Sequence, residues 1–286
     1  MEELMKHSEP LLKLQGVSKV FSRGTVDEVS ALDNISFGVN AGDFITIIGS
    51  NGAGKTTLLN VIAGIFPPER GGLVVVNGTD VTGFREHQRA RYVGRVYQDP
   101  QIGTAAKMTI NENMSLAFMR GKRRGLNVAT TKRRREFYRE VLAPLGLGLE
   151  NRLNALVGTL SGGQRQALAL VMATMSHPSL LLLDEHTATL DPKTARIVLE
   201  LSAMIVSAEQ MTTMMVTHNM EVALRYGNRL IMMHQGRIIV DMNHAQRQNL
   251  KVSDLVTAFE RASGEHFADD SILLSTAAPD EKLEAK

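Results

Sequence analysis

The 286-residue sequence contains no cysteine, which excludes disulfide bonds and thiolate metal sites. A chain without disulfides suits a reducing compartment such as the cytoplasm. No window approaches the ~20 apolar residues that a helix needs to span a bilayer. Residues 1–10 are acidic and lack the apolar segment of a secretory signal. We therefore expect any role at a membrane to depend on another chain that supplies the membrane span.

A hydrophobic content of 43% is enough for a large core. The net charge is only +2, so it indicates no partner by itself. Positive charge nevertheless clusters in one stretch, at Arg120, Lys122, Arg123, Arg124, Lys132, Arg133, Arg134, Arg135 and Arg139. Three interpretations are open for this stretch: a solvated charged face, a contact with an anionic membrane leaflet, or a nucleic-acid surface.

Short apolar strands alternate with helical segments along the chain, which favours a mostly parallel sheet covered by helices on both faces. The predicted strands are 11–17, 31–39, 44–48, 73–76, 93–97, 180–183, 212–217, 229–233 and 237–240. The predicted helices are 57–63, 111–119, 133–145, 164–174, one that starts at Asp191-Pro192, and 252–262. We interpret the helices between residues 109 and 175 as an insertion in an α/β core, and residues 263–286 as a disordered tail.

The segment from Gly49 to Thr57 matches the phosphate-binding pattern G-x-x-x-x-G-K-[ST] at every required position. A predicted strand precedes it and a predicted helix follows it, which is the context that a P-loop needs. Lys55 is expected to reach the β- and γ-phosphates of a nucleotide, and the Thr56 hydroxyl to face Mg²⁺. The alternative is a glycine-rich turn with a surface lysine. The predicted phosphate-binding residues are Gly49, Ser50, Asn51, Gly52, Ala53, Gly54, Lys55, Thr56 and Thr57.

Two acids, Asp184 and Glu185, end the apolar strand that begins at Leu180. Such a strand brings Asp184 to the edge of the sheet beside the P-loop, where a carboxylate can hold Mg²⁺ through its water shell. Glu185 then lies where it can orient or deprotonate an attacking water. The alternative is a strand end with two solvated acids.

A second candidate anion site is the segment Leu160-Ser-Gly-Gly-Gln164. Ser161 can cap the helix that follows, and the two glycines leave the first amides open to an anion. Without the rest of the sequence, the same pattern also fits an ordinary cap and turn.

In this order and spacing, the motifs between residues 11 and 241 resemble the nucleotide-binding subunit of an ATP-binding cassette (ABC) transporter. The resemblance implies an α/β fold: a P-loop NTPase (RecA-like) core with an antiparallel β subdomain and an inserted α-helical subdomain. It implies an ABC ATPase domain at 1–262, with its core at about 11–98 and 165–245 and its helical subdomain at about 99–164.

The same resemblance assigns roles to further residues. It implies ATP and Mg²⁺ as cofactors, and a head-to-tail pair of cassettes, here a homodimer, in which one chain's signature motif acts in trans on the other chain's nucleotide. That motif comprises Leu160, Ser161, Gly162, Gly163 and Gln164. Phe21 matches the adenine-stacking aromatic, with a core residue as the alternative. Gln98, a Q-loop glutamine, joins Thr56 and Asp184 at the metal; Asp191 lies in the D-loop; and His218 assists Glu185 in catalysis.

The sequence departs from the usual family pattern at one position, where His186 follows Glu185 and most of the family has proline. The run from Glu185 to Ala195 and the segment 94–106 resemble a subgroup of bacterial importer ATPases that serve permeases of the branched-chain-amino-acid type. This implies import of a small solute, such as an amino acid, with integral-membrane permease subunits and an extracytoplasmic solute-binding protein. The chain would then lie peripherally on the cytoplasmic face of the inner membrane.

The alternative function is that of a soluble ABC ATPase that acts on nucleic acid or on a protein assembly. Relatives of that kind carry long coiled coils or two cassettes in one chain. The sequence shows no sustained heptads and a single cassette. We therefore do not expect nucleic acid as a partner.

Overall fold

A computed structural model describes residues 9–121 and 131–264, so the predicted tail and the basic residues 122–124 lie outside the described residues, except for Ser263 and Gly264 at the start of the tail. The strands are β1 (Leu12–Phe21), β2 (Val29–Val39), β3 (Phe44–Gly49), β4 (Leu73–Val76), β5 (Thr79–Asp80), β6 (Val93–Val96), β7 (Leu180–Asp184), β8 (Thr212–Val216), β9 (Arg229–His234) and β10 (Arg237–Met242). The helices are α1 (Lys55–Ala63), α2 (Glu86–Arg89), α3 (Ile110–Phe118), α4 (Lys132–Leu142), α5 (Gly162–Thr174), α6 (Pro192–Ala208), α7 (Met220–Arg225), α8 (His244–Arg247) and α9 (Val252–Ser263).

The described strands form two sheets. One is antiparallel and runs in the order β2-β1-β4-β5; the other runs β10-β9-β3-β8-β7-β6 and is parallel except where β10 pairs with β9. Along β7, Leu180 and Leu182 face a core shared with α1 and the antiparallel sheet, whereas Leu181 and Leu183 face a core with α5 and α6. This alternation of buried leucines on both faces is typical of a sheet covered by helices on both sides. The predicted α/β class is confirmed.

The helices α3 and α4 pack with α5 around a separate apolar cluster that includes Tyr138 and Leu142. The Tyr138 hydroxyl donates to Ser115 Oγ at 3.2 Å inside this cluster. Helix α4 ends at Leu142, so the predicted helix 133–145 was too long. Residues 143–145 form a 3₁₀ turn with Pro144, which lacks the N–H needed to continue the α-helix.

Three arginines of the basic stretch make contacts with other residues of the same chain. The Arg134 guanidinium lies 5.3 Å from the Phe118 ring centroid, and Arg135 donates to Asn154. Burial lowers the pKa of Arg120, which lies near Tyr97 and Glu86. These three side chains therefore contribute to packing within the chain as well as to the charge of the stretch.

Arg89 ties the helix after the P-loop to the loop that precedes α2. Its buried guanidinium donates to the carbonyls of Val61 and Ile62, at 2.6 and 2.9 Å, and to those of Phe84 and Thr82, both at 3.0 Å. Burial lowers the pKa of Arg89 to about 10, so the side chain remains a cation at neutral pH. It satisfies carbonyl groups at the C-terminus of α1, where the helix dipole favours positive charge.

The short elements β5, α2, α7 and α8 were not predicted, and the other differences are at element ends. Helix α1 begins at Lys55, two residues before the predicted start, and β1 continues past Val17 to Phe21 through irregular pairing with β2. None of the helices within 9–121 and 131–264 is both long and apolar enough to span a bilayer.

Candidate nucleotide site

The P-loop connects the carboxyl end of β3 to α1, in a backbone path that only glycine fits at two positions. A Cβ on Gly49 (φ +154°) would lie 2.1 Å from the Met233 carbonyl oxygen, and one on Gly54 (φ +94°) would lie 2.3 Å from that of Ala31. Gly54 is the residue before α1, and no side chain among the described residues caps that helix. The first amides of α1 therefore remain available to an anion at the positive end of the helix dipole.

Lys55 lies over the P-loop, and the residue is only 6% exposed. Its Nζ donates to the carbonyl oxygens of Gly49 and Ser50, at 2.7 and 3.1 Å. The ammonium group is thus held on the loop at the place where the sequence predicts the phosphates.

Thr56 and Asp184, which the sequence assigns to the metal, are in direct contact. The Thr56 hydroxyl donates to Asp184 Oδ1 at 3.2 Å, and Asp184 is 5% exposed. Magnesium binds through one or two carboxylates together with waters and substrate phosphates rather than in an all-protein cage. The pair fits that ligand set, and no group of three or more acids and histidines among the described residues offers a full cage.

Glu185 and His218 also meet, at the carboxyl ends of the adjacent strands β7 and β8. The distance from His218 Nδ1 to Glu185 Oε2 is 3.2 Å. The hydrogen bond from His218 lowers the pKa of Glu185, helped by the charge of Lys55 and opposed by desolvation. Glu185 has a left-handed backbone (φ 45°), which sets it apart from the strand it follows. The carboxylate is therefore ionised at neutral pH and oriented by the histidine.

His186, the residue that replaces the usual proline, is fully buried. The Ser202 hydroxyl donates to the Val198 carbonyl at 2.8 Å, so His186 Nε2 must be the donor in its 2.9 Å contact with Ser202 Oγ. Burial lowers the pKa of His186 to about 4. A neutral histidine thus joins the segment after Glu185 to the middle of α6, and the prediction of a structural role is consistent with this geometry.

We expect this histidine to make stability depend on pH. Because its pKa is about 4 in the folded chain and about 6.5 in the unfolded one, the unfolded state binds more protons between these values. The free energy of unfolding should therefore fall by about 3 kcal/mol as the pH falls from 6.5 to 4. Thermal melts of His186→Gln should show a flatter pH dependence over this range, whereas the exposed His87→Gln should retain the parent profile. An unchanged profile for His186→Gln would show that the group titrates normally.

Gln98 follows β6 and is exposed, close to the segment after Glu185. Its backbone carbonyl accepts from the Thr189 hydroxyl at 3.5 Å.

The loop that contains Gln98 and leads to α3 also contacts helix α5. Gln166 Nε2 donates to the Tyr97 carbonyl at 3.0 Å, and Arg165 Nε donates to Thr104 Oγ1 at 2.7 Å. The loop between the core and α3 thus contacts both α5 and the segment after Glu185.

The signature segment begins α5, as predicted. Ser161 Oγ accepts from the Gln164 amide at 3.3 Å, and Gln164 Oε1 accepts from the Ser161 amide at 3.2 Å. A Cβ on Gly163 would lie 2.2 Å from Thr194 Cγ2, so this glycine permits close contact with α6.

Asp191 caps α6, and its side chain accepts from the Thr194 amide at 3.1 Å. Ser161, Gly162 and Asp191 are exposed, so this corner of the molecule is accessible to another chain.

Phe21 lies at the end of β1 and packs edge-on against Phe66, with the ring centroids 5.2 Å apart. Lys19 Nζ lies 5.5 Å from the Phe21 ring centroid. Phe21 is half-buried, so it contributes to packing and keeps part of its ring exposed.

One charged residue beside Thr56 and Asp184 escaped the sequence analysis. Arg95, in β6, forms a 2.7 Å ion pair with Asp184 Oδ2. The only sequence signal was an arginine within an otherwise apolar strand next to the Q-loop, which can equally be an exposed edge position.

Comparison with known proteins yields consistent similarities. The profile of the ABC transporter family matches residues 32–188. A tyrosine transport ATP-binding protein from Clostridioides difficile is 42% identical over 253 residues, covering 88% of this chain and 100% of that protein. The energy-coupling factor transporter ATP-binding protein EcfA2 from Acetivibrio thermocellus is 35% identical over 229 residues, 79% of this chain and 78% of that protein. A dimeric ATP-binding cassette solved in a post-hydrolysis state with ADP and phosphate superposes with a TM-score of 0.70 at 29% identity, covering 82% of this chain and 98% of that one.

Proposed function

The chain belongs to the ABC transporter family of ATPases, and we propose that it drives import of a small solute, an amino acid, through a separate integral-membrane permease. The observation that carries the ATPase part of this proposal is the joint placement of two contacting pairs, Thr56 with Asp184 and Glu185 with His218, beside the P-loop. Such an arrangement suits phosphoryl transfer to water, in which catalysis is positioning and charge stabilisation.

In the proposed site, ATP binds with its phosphates on the loop amides and on Lys55. Lys55 exchanges its hydrogen bonds with the loop carbonyls for bonds to the β- and γ-phosphates, which are stronger because the acceptor is charged. Thr56 and Asp184 would hold Mg²⁺, whose charge offsets that of the phosphates. Gln98, which follows the neighbouring strand β6, completes the proposed set.

Glu185 is the proposed base for the attacking water. Its carboxylate is ionised, since the contact with His218 lowers its pKa, and it is held by that contact in one orientation. His218 both orients the carboxylate and can carry positive charge after proton transfer. The two residues play distinct parts, with Glu185 acting on water and His218 acting on Glu185.

We further propose that two copies of this chain pair head to tail. The exposed Ser161 and Gly162 at the N-terminus of α5 would meet the γ-phosphate held by the partner's P-loop, and Asp191 would lie at the same interface. The similar cassette solved as a dimer with ADP and phosphate supports the pairing of two copies. The ring of Phe21 would stack on adenine.

Ser161→Arg is expected to abolish hydrolysis while the isolated monomer still binds ATP. The arginine would fill the space of the partner's phosphates without touching the chain's own P-loop. ATP turnover and fluorescent-nucleotide binding measure the two effects separately. Thr131→Arg, at the exposed N-terminus of α4, is the matched control and should keep normal turnover. Loss of monomer binding in Ser161→Arg would contradict an action in trans.

The transported solute is proposed to be an amino acid, because the C. difficile relative, which aligns over its whole length, is named for tyrosine transport. The permease would lie in the cytoplasmic membrane with this chain on its inner face, and a solute-binding protein would deliver the solute from outside. Uptake of labelled tyrosine and other amino acids should fall in cells that lack the chain and return with the parent but not with Glu185→Gln. Unchanged uptake of all of them would overturn the assignment of the solute class.

A further inference from the structure

Arg95 contacts three side chains, one of which is Asp184. Its Nη2 donates to Asp184 Oδ2 at 2.7 Å, and its Nη1 donates to Asn60 Oδ1 at 2.6 Å. Its guanidinium carbon lies 4.6 Å from the centroid of the Tyr97 ring. The side chain is only 8% exposed, so its position is determined by these three groups rather than by solvent.

The strand register explains why an arginine at this position reaches Asp184. In the parallel pairing of β6 with β7, Arg95 is opposite Leu182, two residues before Asp184. Because side chains alternate along a strand, Leu182 and Asp184 project from one face. That face is covered by α1, which contributes Asn60. The arginine therefore joins the P-loop helix to the strand that ends at Asp184.

The carboxylate of Asp184 has its two oxygens divided between two partners. Oδ1 accepts from the Thr56 hydroxyl at 3.2 Å, while Oδ2 accepts from Arg95. A carboxylate with only the Thr56 contact would be able to rotate about its terminal torsion, which is broad and only weakly restricted. The second contact, anchored by Asn60 and Tyr97, holds Oδ1 on the side of Thr56.

We propose that Arg95 is a positioning residue that holds the Asp184 carboxylate in the orientation for Mg²⁺. This inference rests on the proposed assignment of Thr56 and Asp184 to the metal. Groups that orient a metal ligand from outside the coordination sphere typically contribute 10–100-fold to metal affinity. A merely packed arginine would contribute to stability alone.

The positive charge of Arg95 opposes its positioning effect, because a guanidinium beside Asp184 also repels a bound cation. If charge dominated, removing Arg95 would strengthen Mg²⁺ binding; if positioning dominates, removing it weakens that binding. The two effects differ in sign, so one titration separates them.

The test compares ADP binding by titration calorimetry in EDTA and across a Mg²⁺ series, with Arg95→Met as the main variant. Methionine keeps much of the apolar stem but neither the fork of donors nor the charge. We expect the Mg²⁺ concentration for half-maximal tightening of ADP binding to rise about 10–100-fold. ADP binding in EDTA should stay within about twofold of the parent, because the loop amides and Lys55 are untouched.

Arg91→Met is the matched control, since Arg91 is exposed and stacks on Tyr92, 4.5 Å from its centroid, in the same region of the chain. It should leave the Mg²⁺ series unchanged. Arg95→Lys keeps the charge but replaces the fork with a single ammonium, so its shift should lie between those of the parent and Arg95→Met. If Arg95→Met does not fold, the shift of Arg95→Lys decides the question.

A Mg²⁺ series for the folded Arg95→Met within about twofold of the parent, or tighter Mg²⁺ binding, would overturn the positioning role. In the same experiment, failure of the unaltered protein to bind ADP would instead refute the proposed nucleotide site. The two failures are therefore distinguishable.

Discussion

Glu185→Gln is expected to slow ATP hydrolysis by about 10²–10⁴-fold, the usual cost of removing a positioned base. The amide keeps the size of the side chain and its contact with His218, but it cannot accept the proton of water. ATP binding should persist, because Lys55, the loop amides, Thr56 and Asp184 are untouched. The ATP-bound dimer should therefore accumulate and be seen as an ATP-dependent shift in size-exclusion chromatography.

Asp184→Asn provides the contrast for that experiment. It alters the carboxylate that contacts Thr56 and Arg95, so it should weaken Mg²⁺-dependent nucleotide binding rather than trap a dimer. Two adjacent acids are thus expected to give separable phenotypes. Turnover at the parent rate in Glu185→Gln would show that this carboxylate is not the base, and the water step would then have to be assigned to His218 or to the substrate itself.

Lys55→Ala is expected to lower ATP affinity by about 100-fold or more, since it removes the charged donors to two phosphates and each such bond contributes about 1.5–3 kcal/mol. The change also removes the contacts to Gly49 and Ser50, so a thermal melt should accompany the binding titration. Lys13→Ala, at an exposed position of β1, is the control. ATP affinity equal to that of the parent in a folded Lys55→Ala would refute the assignment of the P-loop.

The local parts of the site were predictable because each is encoded within a few residues. The glycines of the P-loop meet a steric need that the structure shows at Gly49 and Gly54. The caps at Ser161 and Asp191 follow from side chains that reach the amide three residues ahead. The convergence of Asp184 on the P-loop follows from a rule of parallel sheets, in which strand ends of the same sense share one edge.

The parts that escaped prediction depend on contacts between distant segments. Arg89 and Arg95 are buried cations. The partners of Arg89 are backbone carbonyls 5 to 28 residues away, and those of Arg95 are side chains 35 and 89 residues away, so no local pattern marks them. The partner of His186 lies 16 residues further along, on another element. Helix ends were also misplaced, as at Leu142, because a proline near an end allows several ways to stop a helix.

The central claim, that each ATP is hydrolysed between two copies of this chain, is tested most directly by mixing two inactive variants. In a dimer of Lys55→Ala with Ser161→Arg, one site carries both changes and the other carries neither. The account predicts that ATP hydrolysis, absent from either variant alone, returns on mixing in proportion to the mixed dimer. If the mixture stays inactive while mixed dimers form, the P-loop and the signature segment do not act on each other across the interface.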